Sequence, residues 1–151
     1  MNQNSWKILV TTVPFGEADP MPLELLKTAG VAFDLNPFGR RFQENELAER
    51  IGPYHVLIAG TEPITRAVME RAPNLQHISR VGIGLDSVDL IAARELGIQV
   101  SYTPDAPAPA VAELTVAQML NLLRHLPQAD RGMRRGIWKR LMGRRLAECV
   151  V

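Results

Sequence analysis

Short apolar, β-branched runs alternate with stretches of helical spacing along the first two thirds of the chain. Ile8 to Thr12 is the first run; after the turn Pro14 to Pro22, Leu23 to Ala29 carries apolar residues at helical intervals up to Gly30. Val31 to Leu35 is a second strand, closed by Asn36-Pro37-Phe38-Gly39, and Glu44 to Ile51 is a short amphipathic helix stopped by Gly52-Pro53. His55 to Ala59 reads as a strand buried on both faces. Thr61 or Thr65 then starts a helix reaching Arg71, with Pro63 near its first turn. Leu75 to Val81 and Ile98 to Tyr102 supply the fourth and fifth strands. Strands separated by helices are joined most economically in a parallel sheet, because each crossover is right-handed and lies on a face. The pattern predicts an α/β, flavodoxin-like, five-stranded parallel sheet with helices on both faces, followed by a long linker helix.

The segment Ser79-Arg80-Val81-Gly82-Ile83-Gly84-Leu85-Asp86-Ser87-Val88-Asp89 carries the candidate chemistry. Two glycines at the end of an apolar strand remove the β-carbons that keep a small anion from backbone N–H groups. Asp86 or Ser87 is expected to cap a helix running to Leu96 and stopped by Gly97, which would add its positive end to the site. A plain, tight strand-to-helix turn explains the same glycines. The segment alone leaves both readings open.

Thr103-Pro104-Asp105-Ala106-Pro107-Ala108-Pro109 marks a boundary, since alternating prolines favour an extended chain. Ala110 to Leu126 follows as the strongest helical pattern, terminated by Pro127. Glu113, Gln118, Asn121 and Arg124 or His125 form a narrow polar stripe; Val111, Leu114, Val116, Leu120 and Leu122 are among the apolar positions around it. Such a helix calls for cover on more than one side, from a partner subunit or a further domain. Residues 1–105 and 106–151 are therefore expected to be distinct parts. Leu146 to Val151 reads as a turn leading into a strand, the expected start of a further domain.

An apolar fraction of 46% is ample for one core. From Pro127 onward seven Arg or Lys face only Asp130 and Glu148, a net +5, which leaves −4 on the rest of a chain whose total is +1. That basic tail has Trp138 as its one aromatic residue, and a solvated helix and loop accounts for it better than a nucleic-acid surface. Cys149, the single cysteine, permits neither an intrachain disulfide nor a cysteine zinc cluster, and no metal site is expected. Met1 to Lys7 lacks the apolar core of a signal peptide, and no apolar run is long enough to span a membrane. These features lead to the expectation of a cytoplasmic protein. A phosphoacceptor domain of the same topology needs acidic residues at the ends of the first and third strands, where this chain has Thr11-Thr12 and Ala59-Gly60.

The segments HISRVGIGLDSVDL, YTPDAPAPAVAELTVAQML, RGMRRGIW and MGRRLAECVV, in this order, resemble the first half of a D-isomer-specific 2-hydroxyacid dehydrogenase of the phosphoglycerate dehydrogenase type. The resemblance implies a substrate domain joined by the VAEL helix to a dinucleotide-binding Rossmann domain that begins where this sequence stops. It also implies NAD or NADP as cofactor of the intact protein, with no tight binding to this stretch alone. The G-x-G-x-x-G fingerprint and the family's catalytic Arg, Glu and His are then expected beyond Val151, leaving no catalytic residue in this chain.

Carried onto these residues, the resemblance assigns Arg80, Val81, Gly82, Ile83 and Gly84 to the carboxylate of a 2-hydroxy or 2-keto acid, with the N–H groups of Ile83 and Gly84 as donors. It makes Val111 a cofactor contact, beside the alternative of a core valine, and makes the 110–126 helix a homodimer surface. Three departures stand out. Pro107 and Ser87 occupy positions where many relatives have Asn, and Gly60 lies where phosphoglycerate-specific members can carry Arg. His55, His77 and His125 read as structural or solvated, and Arg80 is the local cation, free to hold an anion or to pair with Asp86 or Asp89. The alternative function is a non-enzymatic, dimerising, ligand-binding module like the family's corepressor members.

Overall fold

The computed structural model describes residues 6–149, in two units, one ending at Ala106 and the other starting at Pro107. The first unit alternates β1 (Lys7–Val10), α1 (Met21–Thr28), β2 (Ala32–Leu35), α2 (Glu44–Arg50), β3 (Val56–Ala59), α3 (Arg66–Glu70), β4 (His77–Arg80), α4 (Leu90–Glu95) and β5 (Gln99–Tyr102). All pairings are parallel, in the order β2-β1-β3-β4-β5. This is the flavodoxin-like sheet that the alternating pattern predicts.

Leu9, Leu57 and Ile78 stand side by side in the register and lie on one face. They form a single buried cluster with Leu47 and Ile51 from α2 and its end, Val68 and Met69 of α3, and Ala92 and Ala93 of α4. Each large apolar side chain buried there contributes roughly 1.5–3 kcal/mol. The chain moves outward from β1 to β2 and then back across to β3, so right-handed crossovers put α1 on the opposite face. On that second face Val56, Ile58, His77 and Ser79 are only half-buried, so the expected double burial of the third strand is not reached.

The strands are shorter than the sequence reading, but residues beyond their ends still bond across the sheet. Thr11 N–H donates to Ile58 O (2.9 Å) and Val81 N–H to Ala59 O (2.9 Å). Pro63 lies outside α3, which Thr65 caps through its hydroxyl.

In the second unit α5 (Ala108–Arg124) starts two residues earlier than the pattern predicts. Pro109 sits in its first turn and Pro107 is its helical N-cap, so the proline stretch is a helix entry rather than an extended spacer. His125 ends α5 in the left-handed region (φ 56°), and α6 (Leu126–Arg134) follows at once. Pro127 therefore belongs to the first turn of a new helix, where its missing N–H costs nothing, and is not the terminator expected. The chain then doubles back: Arg144 N–H donates to Leu123 O (3.1 Å). A β-carbon on Gly143 would lie 2.3 Å from Leu123 O, so this return passage needs glycine.

Leu146–Glu148 is a single 3-10 turn and Cys149 is extended. The expected strand start at Val150–Val151, and most of the leader reading at Met1–Ser5, lie outside the described residues. Among the described residues no helix is long and apolar enough to cross a membrane.

Candidate functional site

Parallel strands bring their carboxyl ends to one edge of the sheet, where loops of different sequence meet. Here that edge gathers Thr11 after β1, Gly60 and Glu62 after β3, the Arg80–Asp86 loop after β4, and Thr103 after β5. Gly82 and Thr103 fix the loop reciprocally. Gly82 N–H donates to Thr103 Oγ1 (2.7 Å), and Thr103 N–H donates to Gly82 O (3.2 Å).

Gly82 has φ 132°, a conformation that side chains avoid, and a β-carbon there would lie 2.2 Å from an Arg80 terminal nitrogen. Its glycine therefore makes room for the Arg80 guanidinium, not for an anion approaching its own N–H, which is already bonded. Gly84 differs. Its φ is unexceptional and a β-carbon would meet Asp86 Oδ2 at 3.3 Å, a tight contact with a side chain that can yield.

Arg80 is 8% exposed, and its Nε is buried without a hydrogen-bond partner. Among the described residues it forms no ion pair with Asp86 or Asp89. A cation removed from water normally needs a partner, so this placement suits an incoming anion. Beyond it the backbone N–H groups of Ile83 and Gly84 donate to nothing among the described residues, and Ile83 is 59% exposed.

The helix after the loop is not part of this arrangement. α4 begins at Leu90, and Asp89, rather than Asp86 or Ser87, caps it by accepting from Ala92 N–H (2.9 Å). The reason lies across the fold: Ile64 bridges Val88, with Ile64 N–H on Ser87 O (2.7 Å) and Asp89 N–H on Ile64 O (3.0 Å). That bridge, which follows a turn closed by Val88 N–H on Leu85 O (2.9 Å), holds Val88 and Asp89 out of the helix and delays its start. The positive helix end expected for the site is satisfied by a side chain of its own.

Sequence reasoning missed Glu62 and its partners. Glu62 is 1% exposed, accepts Gly60 N–H at both oxygens (3.0 and 3.1 Å) and accepts the Thr11 hydroxyl on Oε1. Its signal, a lone acid in the short Thr61-Glu62-Pro63 connection, is indistinguishable in the sequence from a solvated loop residue.

The histidines have structural partners. His55 Nδ1 accepts Lys7 N–H (3.2 Å), His77 Nε2 lies 2.8 Å from Ser101 Oγ, and His125 caps α5. Val111 is 59% exposed in the first turn of α5, which does not make it the core valine that was its alternative.

Among the described residues no cluster of His, Cys, Asp and Glu has a metal-holding arrangement.

Residues 8–143 match the family described as D-isomer specific 2-hydroxyacid dehydrogenase, catalytic domain. A D-3-phosphoglycerate dehydrogenase of Methanocaldococcus jannaschii is 41% identical over 136 residues, 89% of this chain and 24% of that protein. A hydroxypyruvate reductase of Thermotoga maritima is 35% identical over 131 residues, 85% of this chain and 43% of that protein. Among solved structures, NAD+-bound 3-phosphoglycerate dehydrogenase of Entamoeba histolytica superposes with a TM-score of 0.72 at 27% identity, covering 94% of this chain and 43% of that one. The chain thus spans less than half the length of these relatives.

Proposed function

The chain belongs to the D-isomer-specific 2-hydroxyacid dehydrogenases, and we propose that it is the substrate-holding part of an NAD(P)-dependent oxidoreductase that interconverts a D-2-hydroxy acid and its 2-keto acid. Residues 1–105 form the substrate domain on this reading, and residues 106–151 are the interdomain helix and arm.

The observation that carries it is Arg80: a buried guanidinium with an unpartnered Nε, beside the unbonded N–H groups of Ile83 and Gly84. A carboxylate held there receives a charge-assisted contact and backbone donors together. Val81 and Gly82 shape the loop, Gly82 by admitting the guanidinium.

Hydride transfer requires a nicotinamide and a group that protonates the developing alkoxide. The chain contains no G-x-G-x-x-G fingerprint, and its histidines are engaged structurally. The 151-residue chain is therefore expected to bind the acid without turning it over. NAD(P), when bound to the intact protein, supplies the hydride, and exposed Val111 is offered as a contact to it. Exposed α5 side chains, Leu114 and Leu122 among them, are offered as a homodimer surface. The lone Cys149 fits a reducing, cytoplasmic setting.

Titration of the 15N-labelled chain with pyruvate tests the reading. The Ile83 and Gly84 amide signals are expected to shift, and Arg80→Gln is expected to weaken binding by about tenfold or more. Unmoved loop amides, or an Arg80→Gln chain that binds pyruvate as well as the parent, would overturn it.

A further inference from the structure

The carboxyl edge of the sheet has two halves that treat an anion in opposite ways. The strand order reverses between β1 and β3, and an open α/β sheet ordinarily receives its ligand at such a point. In this chain that crevice is filled from within. Glu62 takes up the Gly60 N–H and the Thr11 hydroxyl, and the Asn36 side-chain amide is committed to the carbonyls of Thr11 (2.6 Å) and Arg40 (2.9 Å). A β-carbon at position 60 would lie 2.9 Å from Glu62 Oε2 and 3.2 Å from Thr12 Cα, so a side chain there requires Glu62 to move. The β1–β3 half therefore presents a buried acid, with its nearby donors already engaged.

The β4–β5 half presents Arg80, whose backbone pairs with Ala59 one strand spacing (about 5 Å) away, and beyond it the N–H groups of Ile83 and Gly84. Arg40 is paired with Glu46, and Arg41 lines a hollow of about 380 Å³ together with Asp86 and Asp89. The donors on this edge match one carboxylate. A phosphate adds nearly two further negative charges at neutral pH, next to a carboxylate in a poorly screened, water-poor setting.

Resting on the loop reading above, we infer that Glu62 is a specificity-determining residue that restricts the site to monocarboxylate 2-keto or 2-hydroxy acids with an uncharged tail. Phosphorylated acids are excluded. The relatives' names span both kinds, a phosphoglycerate dehydrogenase and a hydroxypyruvate reductase. The internal carboxylate places this chain with the second.

Calorimetry on the 151-residue chain with pyruvate, hydroxypyruvate and 3-phosphohydroxypyruvate tests the inference. Both unphosphorylated acids are expected to bind at least about tenfold more tightly than the phosphorylated one, the effect of a like charge held at the edge. Glu62→Gln keeps the side chain's size and removes its negative charge, while giving up one of the two oxygens that accept Gly60 N–H. It is expected to strengthen 3-phosphohydroxypyruvate binding and narrow the gap to about threefold or less, with pyruvate changed by less than about twofold. Equal or tighter binding of the phosphorylated acid by the parent chain overturns the inference and leaves the Arg80 loop reading intact. So does a gap that Glu62→Gln leaves untouched. Absence of binding by all three acids overturns the loop reading and the inference with it. Should Glu62→Gln fail to fold, Glu62→Met takes its place with the same narrowing expected, and a gap that it leaves untouched overturns the inference.

Discussion

The unit ending at Ala106 and the unit beginning at Pro107 are both rich in Leu, Val and Ile, yet only the first encloses them. Leu57 in β3 is 0% exposed, whereas Leu122 in α5 is 76% exposed. The cause is geometric. A five-stranded sheet offers a wide face that α2, α3 and α4 can close with a continuous cluster. Within the second unit a single long helix followed by a short one supplies no sheet and no second layer of its own, and α5 contains no buried residue. Apolar residues in the first unit therefore specify a fold, and those in the second make a surface.

The same substitution made in both units gives the largest separation. Leu57→Ala is expected to cost about 2–5 kcal/mol in urea unfolding, and Leu122→Ala to stay within about 0.5 kcal/mol. The effect of Leu122→Ala should appear instead in sedimentation as weakened self-association; equal stability losses at both positions would erase the contrast. A smaller effect comes from the helix after the site loop. Asp89→Ala removes the side-chain cap of α4 and is expected to cost about 1 kcal/mol, while Asp86→Ala leaves stability nearly unchanged.

The smallest effect is electrostatic and confined to the first unit. Hydrogen bonds from the Arg40 guanidinium, then from Gln43 N–H, hold the Glu46 carboxyl at about 2, down from 4.5. A depressed carboxyl stabilises the folded chain at pH above the unfolded value, and that contribution fades as pH falls from about 4.5 toward 2. Urea midpoints recorded across this window should decline less steeply for Arg40→Gln than for the parent. Identical slopes would show that the pair does not contribute.

The sheet was legible because each strand is a compact apolar run and each helix has its own spacing, so order and handedness follow from general rules. What escaped the sequence depended on contacts between distant residues. Asp86, Ser87 and Asp89 are equally plausible caps locally, and the bridge from Ile64 decides among them. Pro127 looked like a stop because the turn before it is made by His125, a residue far less common than glycine in the left-handed region. In the candidate site the two glycines and Arg80 were visible, but their division of labour was not: Gly82 serves the guanidinium and Gly84 leaves its amide unbonded. Glu62 was invisible as a site residue because its burial follows from the meeting of β1 and β3, 51 positions apart in the Thr11–Glu62 contact.

Arg80 has one more consequence, for how the protein responds to its ligand. Enclosing a guanidinium whose Nε lacks a partner makes the empty fold less stable than the same fold with an anion beside it. The water that an arginine on an open surface would shed at the moment of binding has largely been removed during folding. Occupancy is thereby written into the melting temperature: a ligand at a hundred times its dissociation constant adds about 2.7 kcal/mol to the folded state. Heat resistance becomes a readout of recognition that requires neither a cofactor nor a chemical step.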